Sequence, residues 1–115
     1  MLENTGNKVQ HFPHGTLKLQ SDVPGAKMWG VALEKAMLTY FEIQPNCRFD
    51  KHDHESEQIT FILEGELFFE VTGETICVKK GEVIAIPSDI PHAVFTTESN
   101  VKAVDAWSPV REEYK

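Results

Sequence analysis

Apolar and polar residues in this chain alternate in short runs rather than recurring every three or four positions, the pattern of half-buried strands. Thr16–Leu19, Ala36–Ile43, Gln58–Leu63, Val83–Ile86, His92–Thr96 and Val101–Trp107 all read as extended. Turn signals separate them, above all Leu63-Glu-Gly65-Glu-Leu67 and Thr72-Gly73-Glu74, where glycine supplies the backbone freedom a hairpin needs. One segment invites a helix, since Val31-Ala-Leu-Glu-Lys-Ala-Met-Leu38 has amphipathic spacing. The β-rich Thr-Tyr-Phe-Glu-Ile that follows argues against it, and Trp29–Ile43 is expected to form a bent strand or hairpin. About nine or ten short strands result, which suits an all-β fold of two packed antiparallel sheets, a sandwich or single jelly-roll barrel.

A length of 115 residues fits one domain, and no repeat, low-complexity segment or linker divides it. The core is expected over about 16–107, with an N-terminal arm at 1–15 and a C-terminal tail at 108–115. Phe41, Ile43, Phe61 and Leu63 carry more hydrophobic surface than so small a barrel can cover, so a homodimer formed by sheet packing is expected. The formal charge of −7 argues against nucleic acid, because phosphate binding needs a basic face. No apolar run is long enough to cross a membrane, and Met-Leu-Glu-Asn-Thr-Gly-Asn does not read as a signal peptide, so a cytoplasmic protein is expected. Cys47 and Cys77 form no CxxC and read as reduced thiols there.

Against this frame His52 and His54 stand out, one residue apart, followed by Gln58 and, after a long gap, by His92 in Pro-Ser-Asp-Ile-Pro-His. Residues i and i+2 of a strand share a face, so His52 and His54 can hold one ion if Lys51–His54 is extended. Gln58 and His92 open apolar runs, and three imidazoles with an amide oxygen suit a divalent transition metal. His11 and His14, in a Pro- and Gly-containing stretch, read as arm residues instead. Glu57 competes with Gln58, because strand neighbours face opposite sides and only one can look inward. With Glu57 inside, Ile59, Phe61 and Leu63 also turn inward, and the simple core pattern favours that choice.

These residues resemble the two motifs of the cupin superfamily. His52-Asp-His54, Gln58 and Gly65 fall at the places of the first motif, and Gly81, Pro87 and His92 at those of the second. There are departures: Asn46 or a neighbour replaces the opening glycine, Gln58 the acidic ligand, Asp89 a second-motif glycine and Thr96 the closing asparagine. The resemblance implies a jelly-roll barrel with His52, His54, Gln58 and His92 around one divalent ion (nickel, zinc, iron or manganese), and so prefers Gln58 to Glu57. Such a donor set is neutral, which leaves the ion a strong Lewis acid and invites an anionic oxygen ligand.

The closing run Asp105-Ala-Trp107-Ser-Pro-Val-Arg111-Glu-Glu-Tyr carries the second clue. Asp105 and Trp107 share a strand face, and Pro109 turns the chain so that Arg111 can return over the barrel mouth. An inward carboxylate beside a metal is a candidate general base, and a rim arginine can hold a substrate carboxylate in a bidentate fork. The segment resembles that of the small pectin-degradation cupins that open the ring of unsaturated uronates. That resemblance implies Asp105 and Arg111 as catalytic residues, Trp107 and Arg111 as substrate-binding residues, and an anionic small molecule as substrate. Trp107 stands where phenylalanine is usual. A cupin dioxygenase acting on a flavonoid or diketone, and a non-catalytic sugar-binding barrel, are the alternatives.

Overall fold

The computed structural model describes residues 8–114; the reading of the first seven residues as no signal peptide lies outside them. Among the described residues, ten antiparallel strands form two sheets. The larger contains β1 (Gln20–Ser21), β2 (Ala26–Ala32), β3 (Met37–Ile43), β5 (Glu57–Glu64), β8 (Val83–Ile86) and β10 (Val101–Ser108), in the order β1-β2-β3-β10-β5-β8. The smaller holds β4 (Arg48–His52), β6 (Glu66–Val71), β7 (Glu74–Lys79) and β9 (His92–Phe95), in the order β4-β9-β6-β7. The sheets face each other as the two layers of a jelly roll, without hydrogen-bonded closure into a continuous barrel among the described residues. A short 3-10 turn, Glu112–Tyr114, ends the described chain.

The expected hairpin over Trp29–Ile43 is β2 and β3, with Met28 opposite Phe41 and Ala32 opposite Met37. Thr16–Leu19 is not a strand; pairing begins only at Gln20, opposite Met28. Phe41 and Ile43 are not surface residues either. They sit on the inward register of β3 with Met37 and Thr39, and they meet Ile62, Leu67, Phe69, Val94 and Val101 in the main core. Full burial of each large side chain contributes about 1.5–3 kcal/mol.

β5 has the opposite polarity from the one its composition suggests. Ile59, Phe61 and Leu63 are 52%, 37% and 39% exposed, while Gln58, Thr60 and Ile62 are 5%, 1% and 0% exposed. The simple core pattern that favoured Glu57 therefore fails: Glu57 faces solvent and Gln58 faces the interior. The register decides this. Gln58, Thr60 and Ile62 lie opposite Trp107, Asp105 and Ala103 of β10, all inward-facing.

The turn between β5 and β6 admits only glycine at Gly65. Its φ is 81°, and a Cβ there would stand 2.2 Å from the Asn100 carbonyl oxygen. The Asn100 main chain thus runs close against the Gly65 turn, which sets the start of β10 beside the end of β5.

Candidate metal centre and proton-transfer site

His52 and His92 are directly paired residues of β4 and β9. β4 ends at His52, however, and the expected extension to His54 does not occur; His54 stands in the loop beyond. Main-chain bonds rather than strand alternation hold it, with Asp89 N–H donating to the His54 carbonyl at 2.8 Å. The three rings converge, with centroids 4.6 to 5.4 Å apart and ligand atoms all within 4.8 Å of one another.

Each imidazole is oriented by a main-chain carbonyl. Nδ1 of His52, His54 and His92 meets the carbonyl oxygens of Asp50, Ser56 and Ile90 at 2.7, 2.8 and 2.8 Å. A carbonyl oxygen only accepts, so Nδ1 carries the proton and Nε2 presents its lone pair to the centre. Burial, aided by neighbouring positive groups, lowers the pKa of His54 and His92 and keeps them neutral, the form that binds metal.

Three buried polar atoms lack a hydrogen-bond partner among the described residues: His54 Nε2, His92 Nε2 and Gln58 Oε1. Orphaned acceptors cost about 1–3 kcal/mol each, and three of them on one centre mark a place shaped for a cation. Gln58 is aimed by its other end, since Nε2 donates to Thr60 Oγ1 at 2.9 Å and approaches Asp105 Oδ1 at 3.4 Å. The donors present therefore fit a divalent transition metal, with His52, His54 and His92 as the histidine cluster and the Gln58 oxygen facing the same space.

Asp105 sits behind this wall, buried and held from both flanking strands. Thr39 of β3 and Thr60 of β5 are its direct cross-strand partners. Thr60 Oγ1 donates a short hydrogen bond to Oδ1, and Thr39 Oγ1 donates to Oδ2 at 3.2 Å. Thr39 in turn accepts from the Trp107 indole N–H at 2.8 Å. Two chains thus converge on the carboxylate, one from Gln58 through Thr60 and one from Trp107 through Thr39. Burial raises the Asp105 carboxyl to about 6, against the lowering effect of those hydrogen bonds and of Arg111. A group near that value can both take and return a proton around neutrality.

Arg111 reaches the same cavity from the tail. Its guanidinium lies 5.1 Å from the Trp107 ring and 4.9 Å from the Tyr114 ring, and Nε donates to Glu113 at 2.5 Å. Ser56 ties the histidine loop to this tail, donating from Oγ to the Pro109 carbonyl at 2.5 Å while its own carbonyl accepts from His54. The Ser108–Pro109 peptide is cis. The cavity has a volume of about 40 Å³ and is lined by Asp105, Arg111, His52, His92 and Gln58 together with the apolar Phe41, Phe49, Leu67 and Phe69. That is room for a few waters or for the reacting end of a small molecule.

Sequence reasoning missed four residues here. Thr39 and Thr60 carry a faint signal, as hydroxyls in the middle of apolar strand runs. Ser56 has none, and Tyr114, which lines the cavity and packs on Phe41 and Trp107, is silent in a tail of charged residues. His11 and His14 are exposed.

The motif departures have physical explanations. Asn46 and Asp89, standing where the motifs carry glycine, have φ of 56° and 61°. Asn and Asp are the side chains that best tolerate this left-handed region. Thr96, in the place of the closing asparagine, accepts from Cys47 N–H at 2.9 Å and donates to the Gln44 carbonyl at 2.6 Å.

Residues 39–107 match the cupin domain family. Acireductone dioxygenases are similar to this chain. That of Tuber melanosporum is 34% identical over 68% of this chain and 52% of its own length; that of Aspergillus fumigatus is 30% identical over 95% and 70%. The chain thus spans about half the length of the first of these relatives. KdgF from Halomonas sp. has a TM-score of 0.85 at 22% identity, covering 94% of this chain and 100% of that one. An RmlC-like cupin from Shewanella frigidimarina has a TM-score of 0.84 at 20% identity, covering 93% and 97%. Identities this low speak for the fold alone.

Proposed function

Because this chain belongs to the cupin family, we propose that it is a metal-dependent enzyme that moves a proton on a small sugar acid, opening or tautomerising the ring of an unsaturated uronate. The observation that carries the reading is Asp105: a buried carboxyl raised to about 6 that lines the same small cavity as His52, His92 and Arg111.

His52, His54, His92 and Gln58 hold the divalent ion, which when bound supplies Lewis-acid stabilisation of developing negative charge on a substrate oxygen. Asp105 takes the proton of the anomeric hydroxyl. The ring carbon–oxygen bond then breaks with its electrons left on the former ring oxygen as an enolate, and the proton returns to that oxygen or to the adjacent alkene carbon. The reaction is an isomerisation and consumes no oxidant. Thr39 and Thr60 hold the carboxylate still, and Arg111 holds the substrate carboxylate at the mouth. The apolar wall of Phe41, Phe49 and Phe69 keeps water from the reacting end. KdgF as a fold neighbour is consistent with this reading, as is the resemblance of the closing segment. Two free thiols support a reducing, cytoplasmic setting.

The test is to load the protein with nickel, zinc, iron or manganese in turn, supply the unsaturated monosaccharide uronate, and follow the loss of absorbance of its conjugated double bond. Turnover with at least one ion, lowered at least about 100-fold in Asp105→Asn, is expected; no acceleration with any of the four would overturn the reading. The curated acireductone dioxygenases favour a second reading, oxygen-dependent cleavage of an enediol-type substrate. Oxygen uptake separates the two, because ring opening consumes none.

A further inference from the structure

Arg111 carries the guanidinium on the cavity wall, and its side chain is only 12% exposed. A guanidinium offers a carboxylate two forks, one formed by Nε with an Nη and one formed end-on by the Nη pair. Glu113 Oε1 already accepts from Nε at 2.5 Å, which closes the first. No acceptor among the described residues engages Nη1 or Nη2, so the end-on fork is free.

Local structure holds that arrangement. The 3-10 turn Glu112–Tyr114 folds Glu113 back to Arg111, and Tyr114 N–H donates to the Arg111 carbonyl at 3.1 Å. Tyr114 anchors the turn against Phe41 and Trp107, with ring centroids 5.7 Å away in each case. Its main chain lies against β2 at Gly30, where an added Cβ would stand 3.1 Å from the Tyr114 carbonyl oxygen. The Trp107 and Tyr114 rings restrict the plane of the guanidinium, and the glutamate on Nε restricts its rotation within that plane. Charge is balanced here as well. Asp22, in the turn between β1 and β2, is close enough for the charges of Arg111 and Glu113 to act on it. One cation with two acids beside it suits a ligand of single negative charge, because a second charge on the ligand is repelled by both acids.

We infer that Glu113 is a positioning residue for substrate binding: it holds Nε so that Arg111 meets its ligand end-on through Nη1 and Nη2, and its charge tunes the site to a planar, singly charged carboxylate over a doubly charged phosphate ester. This role rests on the reading of Arg111 as the carboxylate anchor, and it supplies the group that aims the anchor. Glu113 itself does not line the cavity and is 59% exposed, so its replacement leaves the core intact.

The experiment is isothermal titration of the zinc-loaded full chain with glucuronate at neutral pH. Its saturated ring has no alkene to rearrange, so binding is read without turnover. Glu113→Gln and Glu113→Ala both lose the charge, but only glutamine keeps an acceptor oxygen for Nε. Glu113→Gln is expected to bind glucuronate at least about fivefold more tightly than Glu113→Ala. Equal affinity, as from a carboxylate seated on the ion alone, or tighter binding by Glu113→Ala, as from a displaced competitor, would overturn the proposal. Charge is tested with glucose 6-phosphate, which carries a dianion in the place of the carboxylate. From wild type to Glu113→Gln its affinity is expected to rise at least about fivefold more than that of glucuronate; a rise no larger than glucuronate's would overturn the charge role. Failure of wild type to bind glucuronate would overturn both. The contrast between the two variants is read whether or not an unsaturated uronate turns over, so its failure and that of the ring-opening reading are told apart.

Discussion

The interior of this sandwich has two ends built on opposite rules. At one, Ala26, Met28, Ile62, Val78 and Val101 belong to one buried cluster, and every contact adds cohesion. At the other, His54, His92 and Gln58 bury lone pairs that nothing among the described residues satisfies, and Asp105 buries an ionisable group. The same strands run through both ends: β10 carries Val101 into the first and Asp105 and Trp107 into the second. The cohesive end holds the register, and the register holds the polar end in place, so stability and chemistry are separable along a single strand.

The sharpest way to test that separation is Asp105→Asn. Turnover should fall about 100- to 10,000-fold, as expected for loss of a general base, while the metal-free fold holds or gains stability because a buried charge is gone. A drop in thermal midpoint of more than a few degrees would show that the carboxylate supports the fold. Ile62→Ala, fully buried in the main core and outside the cavity lining, should do the reverse. A loss of about 2–5 kcal/mol in denaturant unfolding is expected, with about one bound ion per folded chain retained; loss of the ion at full folding would contradict the division.

Smaller effects probe the junction between the ends. Ser56→Ala removes the hydroxyl tie to Pro109 and should cost about 1 kcal/mol, with KM for an anionic substrate rising more than kcat falls as the Arg111 segment loosens. Equal changes in both would place Ser56 elsewhere in the cycle. The gentlest probe is pH. Asp105 is raised from 3.8 to about 6, so the metal-free protein should be most stable below about 4 with respect to this group and lose that contribution as pH rises through 6. Asp105→Asn should flatten that part of the profile, and a parallel profile in the variant would assign the slope to other groups.

Much of this was legible in the sequence, and the misreadings have causes. Strand positions followed from alternation, and the histidines from their spacing. β5 was harder, because a rule that sends apolar residues inward fails when the outer face is itself apolar, and nothing local to Ile59 or Phe61 says so. Phe41 and Ile43 were misplaced for the complementary reason: their facing depends on pairing with β10, a partner some sixty residues away in sequence. His54 lies beyond the strand that spacing assigned to it, and Thr39 and Thr60 acquire meaning only once Asp105 lies between them. Local pattern finds the elements; non-local register decides what each residue faces.

The three carbonyls that steer the histidine rings belong to the main chain, at Asp50, Ser56 and Ile90. No side-chain replacement at those positions deletes an acceptor. For anyone transplanting this centre into another scaffold, copying four ligand side chains would therefore leave the rings unsteered. The portable unit is the main-chain path of two segments, 50–56 and 90–92, where strands meet loops, and a graft succeeds or fails on whether the host can reproduce that path.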